Sequence, residues 1–129
     1  MERREYQLMY LTEENHWWFN GKRKIILSQL ENALKRKRKL KILDIGCGTG
    51  IMIKSFERYG IVFGADIEMT ALNFCLKRGI KNVAHSDIAK LPFKTNSFDV
   101  VGIFDVLYHK GVKNDVEALR EIYRVAKPK

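Results

Sequence analysis

From residue 40 onward the chain alternates short apolar runs with stretches of helical periodicity. Leu40-Lys41-Ile42-Leu43-Asp44-Ile45 is a run of the first kind, ending in a glycine-rich turn, and it suits a buried parallel strand. Ile51 to Tyr59 predicts a helix, with Gly60 placed to stop it. Ile61 to Asp66 predicts a second strand, Met69 to Arg78 a second helix closed by Gly79, and Asn82 to His85 a short third strand. After a loop holding Leu91-Pro92-Phe93, the run from Phe98 to Phe104 predicts a fourth strand. Asn114 and Glu117 fit a capping box for a last helix, with Val116, Leu119, Ile122, Tyr123 and Ala126 on its apolar face. Strands that alternate with helices imply βαβ units: an α/β fold with a mostly parallel sheet and helices on both faces.

Residues 1–39 follow a different pattern. Ile25, Ile26, Leu30 and Leu34 recur at helical spacing with Lys and Glu between them, downstream of the aromatic cluster His16-Trp17-Trp18-Phe19. The predicted organisation is a single compact domain with an N-terminal helical segment over 1–39 and an α/β unit over 40–129.

Composition narrows the setting. No apolar run approaches the ~20 residues that span a bilayer. The opening MERREYQLMY has charge but no apolar core of a secretion signal. Cys47 and Cys75 lie far apart, without metal-ligand spacing, so a reduced, cytoplasmic protein with neither disulfide framework nor metal site is expected. The net charge of +9, from 24 Lys and Arg against 15 Asp and Glu, would favour an anionic partner. Much of it lies in the run Lys35 to Lys39 with Lys41. That run reads either as a solvated helix end, well placed against the helix dipole, or as a nucleic-acid contact.

The chemistry concentrates in Asp44-Ile45-Gly46-Cys47-Gly48-Thr49-Gly50, between a strand and a helix, where open parallel sheets place their ligands. Glycines there allow close backbone approach, and the following helix would direct its N–H groups toward a ligand carboxylate or phosphate. The dinucleotide fingerprint G-x-G-x-x-G needs a glycine at 51, where Ile51 stands. The glycines instead alternate, with an acid two residues before the first, which favours an adenosyl ligand without pyrophosphate over a variant nucleotide site. Asp66, at the end of the second strand, can accept from both hydroxyls of a ribose, or serve the N-terminus of the next helix. Asp87, at the end of the third, could accept the exocyclic amine of adenine, or be a turn aspartate. Ile67 and Ile88 could pack on the adenine faces, or belong to the core.

These segments resemble a known family. Leu43 to Gly50 is similar to the first motif of class I S-adenosylmethionine-dependent methyltransferases, and Gly64-Ala65-Asp66-Ile67 to their second acidic position. Asp87 with Leu91-Pro92-Phe93, Ser97 to Val101, Val106 to His109 and Leu119 to Pro128 resemble the later segments in order. Glu14 to Phe19 resembles an N-terminal helix that covers the cofactor pocket in some small-molecule methyltransferases. The resemblance implies S-adenosylmethionine as cofactor and S-adenosylhomocysteine as product. It implies that Gly46, Cys47, Gly48 and Gly50 hold the methionine part, Asp44 its amino group, Asp66 the ribose and Asp87 the adenine. Phe104 and Asp105 would lie beside the sulfonium.

The reaction so implied is an in-line displacement, in which the protein aligns the reactants and excludes water. A proton-bearing acceptor also needs a base, and His109 is the candidate, since an imidazole with pKa ~6.5 accepts a proton at neutral pH. A small-molecule acceptor is favoured slightly over nucleic acid. A non-catalytic cofactor-binding or regulatory module, or a basic nucleic-acid-binding domain, are the alternatives. Family members continue past the Lys-Pro segment into further strands, whereas this sequence ends at Lys129. The expectation is therefore a piece of a longer product, or a second chain, in the simplest case a homodimer, covering the edge of the fourth strand.

Overall fold

The structure, a computed structural model, describes residues 3–12, 24–25, 28, 31, 39–103 and 115–128. Its elements in chain order are α1 (Arg3–Thr12), β1 (Leu40–Ile45), α2 (Ile51–Phe56) continued by a 3₁₀ turn (Glu57–Tyr59), β2 (Gly60–Asp66), α3 (Met69–Lys77), β3 (Val83–His85), β4 (Val100–Ile103) and α4 (Asp115–Val125). The four strands form one parallel sheet in the order β3-β2-β1-β4. The chain steps outward from β1 to β2 and β3, then crosses to β4 on the other side of β1. The order therefore reverses at the carboxyl end of β1, where such sheets open a ligand crevice.

The alternation of side chains along β1 builds both halves of the core. Leu40 and Ile42 pack with Val62, Ile53, Phe56, Leu72, Cys75 and Ile80, beneath α2 and α3. Leu43 and Ile45 pack on the other face with Ala65, Ile88, Leu91, Phe98, Ala118 and Val125, beneath α4. Burial on both faces explains why β1 reads as a nearly continuous apolar run. Each such Leu, Ile or Phe contributes roughly 1.5–3 kcal/mol by leaving water.

Gly60 closes the 3₁₀ turn that continues α2, as expected, and it is also the first residue of β2, paired with Leu40. A Cβ there would stand 1.9 Å from the Leu40 carbonyl oxygen, so the close approach of the two strands demands glycine. Three expectations are corrected. The fourth strand begins at Val100 rather than Phe98, because the Phe98 backbone is committed to the chain after α4 through bonds with Val125 O and Lys127 N. The predicted apolar face of α4 is buried only in part: Ile122 packs on the core and Ala126 is half-buried, but Val116, Leu119 and Tyr123 are exposed, while Ala118 and Val125 are fully buried. The helix carries two apolar stripes, and its rotation is set by Glu121 and Arg124. Glu121 accepts from Leu91 N at 2.8 Å, and Arg124 donates to Phe93 O at 2.8 Å and Leu91 O at 3.0 Å, besides pairing with Glu121. Lys41 does not extend a solvated basic patch; its ammonium lies 5.4 and 5.3 Å from the ring centres of Phe63 and Phe98. Of the remaining basic run only Lys39, exposed, is among the described residues. Asn114, the proposed cap of α4, lies outside them.

Candidate cofactor-binding site

At the carboxyl end of β1 the chain turns through Gly46, Gly48 and Gly50, with φ of 72°, 56° and 88°. A side chain at such a left-handed position costs ~1–2 kcal/mol. Gly50 is also packed: a Cβ there would stand 2.5 Å from Ile80 Cδ1 and 3.1 Å from Cys75 Sγ. Cys47 and Cys75 are both buried, with sulfurs 4.0 Å apart. The hydrogen bond to Cys75, and then burial, hold the Cys47 thiol above its usual range, which suits packing and not nucleophilic chemistry.

The loop's N–H groups are turned inward. Gly46 N and Cys47 N both donate to Ala65 O, at 2.7 and 3.1 Å, and Gly50 N donates to Cys47 O at 3.0 Å. Gly48 N donates to Oδ2 of Asp66 at 2.9 Å. A phosphate cradle needs those donors turned outward, beside no competing anion. Here the N–H groups of Gly46, Cys47, Gly48 and Gly50 are spent, and two carboxylates stand beside them. Asp44 is 2% exposed and Asp66 is 8% exposed. In the sheet Asp44 lies between Gly64 and Gly102, so neither neighbouring strand sets a side chain beside it. The two carboxylates suit a ligand that offers amine and hydroxyl hydrogens.

Asp66 serves the N-terminus of α3, as one reading anticipated: Oδ1 accepts from Glu68 N at 2.9 Å. Its Oδ2 also takes the loop, which was not anticipated. Each oxygen keeps a further lone pair for a ligand. Asp87, at the end of β3, is exposed, and its Oδ1 accepts from Ala89 N at 2.9 Å in a local turn. Ile67 is 47% exposed at the rim, whereas Ile88 is 5% exposed within the core. Between the two acids, Ser86 N donates to Asp66 O at 3.0 Å, and the buried Ser86 Oγ has no hydrogen-bond partner among the described residues. His85 Nε2 lies 2.7 Å from Ile67 O, joining the ends of β2 and β3. The structure thus brings together Asp44, Gly46, Cys47, Gly48, Gly50, Asp66, Ile67 and Asp87 along one edge of the sheet. Phe104, Asp105 and His109, with the cluster His16 to Phe19, lie outside the described residues.

The residue that sequence reasoning missed is on α1. Tyr6 is 4% exposed. Burial, then the charges of Asp66 and Glu68, push its phenol pKa up. The methyl end of Met9 lies 4.0 Å from where a Cβ on Gly48 would stand. Tyr6, Met9 and Tyr10 share one face at spacings of three and four, a signal present in the sequence but overshadowed by the later aromatic cluster.

Comparison with known proteins agrees with this geometry. Residues 43–129 match the family described as Methyltransferase domain, and the chain belongs to that family. The demethylmenaquinone methyltransferase of Staphylococcus aureus is 35% identical over 71% of this chain and 41% of its own length. A Methanococcus maripaludis structure shares the fold with a TM-score of 0.82 at 18% identity, over 98% of this chain and 59% of that one. A SAM-dependent methyltransferase of Aquifex aeolicus gives 0.64 at 24% identity, over 78% and 58%. The fold is thus the Rossmann-like one of class I methyltransferases. The chain spans 32–53% of the length of curated relatives that it matches.

Proposed function

We propose that this chain supplies the cofactor half of an S-adenosylmethionine-dependent methyltransferase. The observation that carries the reading is the buried Asp66 carboxylate, joined to a left-handed loop whose glycine N–H groups are already used. Bound there, S-adenosylmethionine would supply a methyl group on a sulfonium, whose departure leaves a neutral thioether. Asp66 accepts hydrogens from the ribose hydroxyls, Asp44 from the amino group and Asp87 from the adenine amine. The loop from Gly46 to Gly50 borders the methionine part, and Ile67 offers an exposed apolar surface to the base. Phe104 and Asp105 belong to the same proposal beside the sulfonium, and Ile88 supports the adenine end from within the core. His109 would hold the proton released by an acceptor. The N-terminal segment 1–39 is the cover of the site, as the burial of Tyr6 and the approach of Met9 to Gly48 support.

A small-molecule acceptor is the favoured class, since a relative at 35% identity is named for methylating demethylmenaquinone. Lys41, spent between two aromatic rings, weakens the case for a basic nucleic-acid surface. No described helix is long and apolar enough to cross a membrane. A second copy against β4 remains part of the proposal, because among the described residues β4 pairs only with β1.

Calorimetric titration with S-adenosylmethionine and S-adenosylhomocysteine is the test. Saturable binding of both, lost in a folded Asp66→Ala variant, is the expected result. A well-folded wild type that binds neither would overturn the reading.

A further inference from the structure

The cover helix and the glycine loop are held by one side chain. Arg78, the residue that ends α3, donates from Nε to Thr49 O at 2.9 Å and from Nη2 to Tyr10 O at 3.4 Å. Its guanidinium lies 4.6 Å from the centre of the Tyr10 ring. That ring stacks on Phe74 at 4.9 Å and 30°, and the Lys77 ammonium lies 5.1 Å from the Phe74 ring on α3. The result is a stack of cation, ring, ring and cation that fastens α1 to α3. A planar guanidinium suits this position because it can lie over a ring while its edge still donates to two carbonyls. Thr49 stands between Gly48 and Gly50, so Arg78 grips the loop at its centre. On the same helix the methyl end of Met9 lies 4.0 Å from where a Cβ on Gly48 would stand, and the Asp66 carboxylate holds Gly48 N.

We propose that Arg78 is a positioning residue that couples the docking of α1 to the shape of the cofactor loop. Ligand affinity then depends on a helix remote in sequence from the loop, and ligand binding tightens that helix. Arg78 itself touches no ligand; it acts through Thr49 and Tyr10. The inference rests on the cofactor reading above. By linkage, whatever the ligand gains from a docked α1 must appear as protection of α1 by the ligand.

The test combines S-adenosylhomocysteine titration with amide hydrogen exchange on the wild type, Arg78→Ala and Arg78→Lys. In the wild type, S-adenosylhomocysteine slows exchange across residues 3–12. Arg78→Ala, which removes two charge-assisted bonds, should raise exchange there and weaken binding by about tenfold. Arg78→Lys keeps a cation near Tyr10 without the two-bond fork, so it should fall between. Exchange across β1 must stay unchanged, which separates the effect from loss of fold. Faster exchange of α1 with unaltered affinity would overturn the coupling alone, as would lost affinity with α1 still protected. A folded wild type that binds no S-adenosylhomocysteine would overturn the cofactor reading and the coupling together.

Discussion

The ends of β2 and β3 each carry an aspartate toward the same crevice, yet they are held in opposite ways. At the end of β2, Asp66 is nearly buried and both of its oxygens take backbone N–H groups, from Gly48 and Glu68. The turn that follows β3 is fastened from the opposite layer: Glu121 and Arg124 of α4 bind Leu91 and Phe93, and Asp87 itself caps only its own local turn. The first acid is therefore part of the scaffold and of the proposed site at once. The second can be removed with little effect on the scaffold. The difference teaches that equivalent positions at neighbouring strand ends need not be equally separable into structure and function.

The largest expected effect comes from the loop that Asp66 holds. Gly50→Ala adds a methyl group at φ 88° and drives it against Ile80 and Cys75. Left-handed strain and overpacking together should lower stability by about 3 kcal/mol in a denaturant titration. An unchanged midpoint would show the loop to be looser than described.

The comparison itself is put at risk by a pair of substitutions. Asp66→Asn sets an amide where one of two N–H donors needs an acceptor, so it should cost about 2 kcal/mol and weaken cofactor binding as well. Asp87→Ala should change stability by less than about 1 kcal/mol while still weakening binding, since only an exposed turn bond is lost. Equal stability losses in the two variants would erase the distinction between the strand ends.

The smallest effect concerns the fastening of the β3 turn. The hydrogen bond from the Arg124 guanidinium holds the Glu121 carboxyl below its ordinary value of 4.5, and burial works against it. A carboxyl depressed by folding stabilises the folded state above its unfolded value, and that contribution fades as pH falls through the folded value. Below about pH 4.5 the wild type should thus lose a small increment of stability that Glu121→Gln does not lose. Parallel pH profiles for the two proteins would count against the role given to this pair.

What the sequence by itself determined is what depends on local periodicity and on residue type at a turn. The apolar run of β1, the alternating glycines and the acids at the ends of β2 and β3 placed the crevice and most of its candidate residues, because short-range patterns and allowed backbone angles are local properties. The start of β4 moved from Phe98 to Val100 because Phe98 is claimed by Val125 and Lys127, distant in sequence. The buried face of α4 was decided likewise, by Glu121 and Arg124 gripping the turn at Leu91 and Phe93; periodicity alone pointed to a face of which Val116, Leu119 and Tyr123 are exposed. Only the tertiary structure brought Met9 to Gly48 and Arg78 between Thr49 and Tyr10. Those contacts join segments that no local pattern links, and the physical reason is that side-chain partners are set by packing in three dimensions, after the strands and helices have formed.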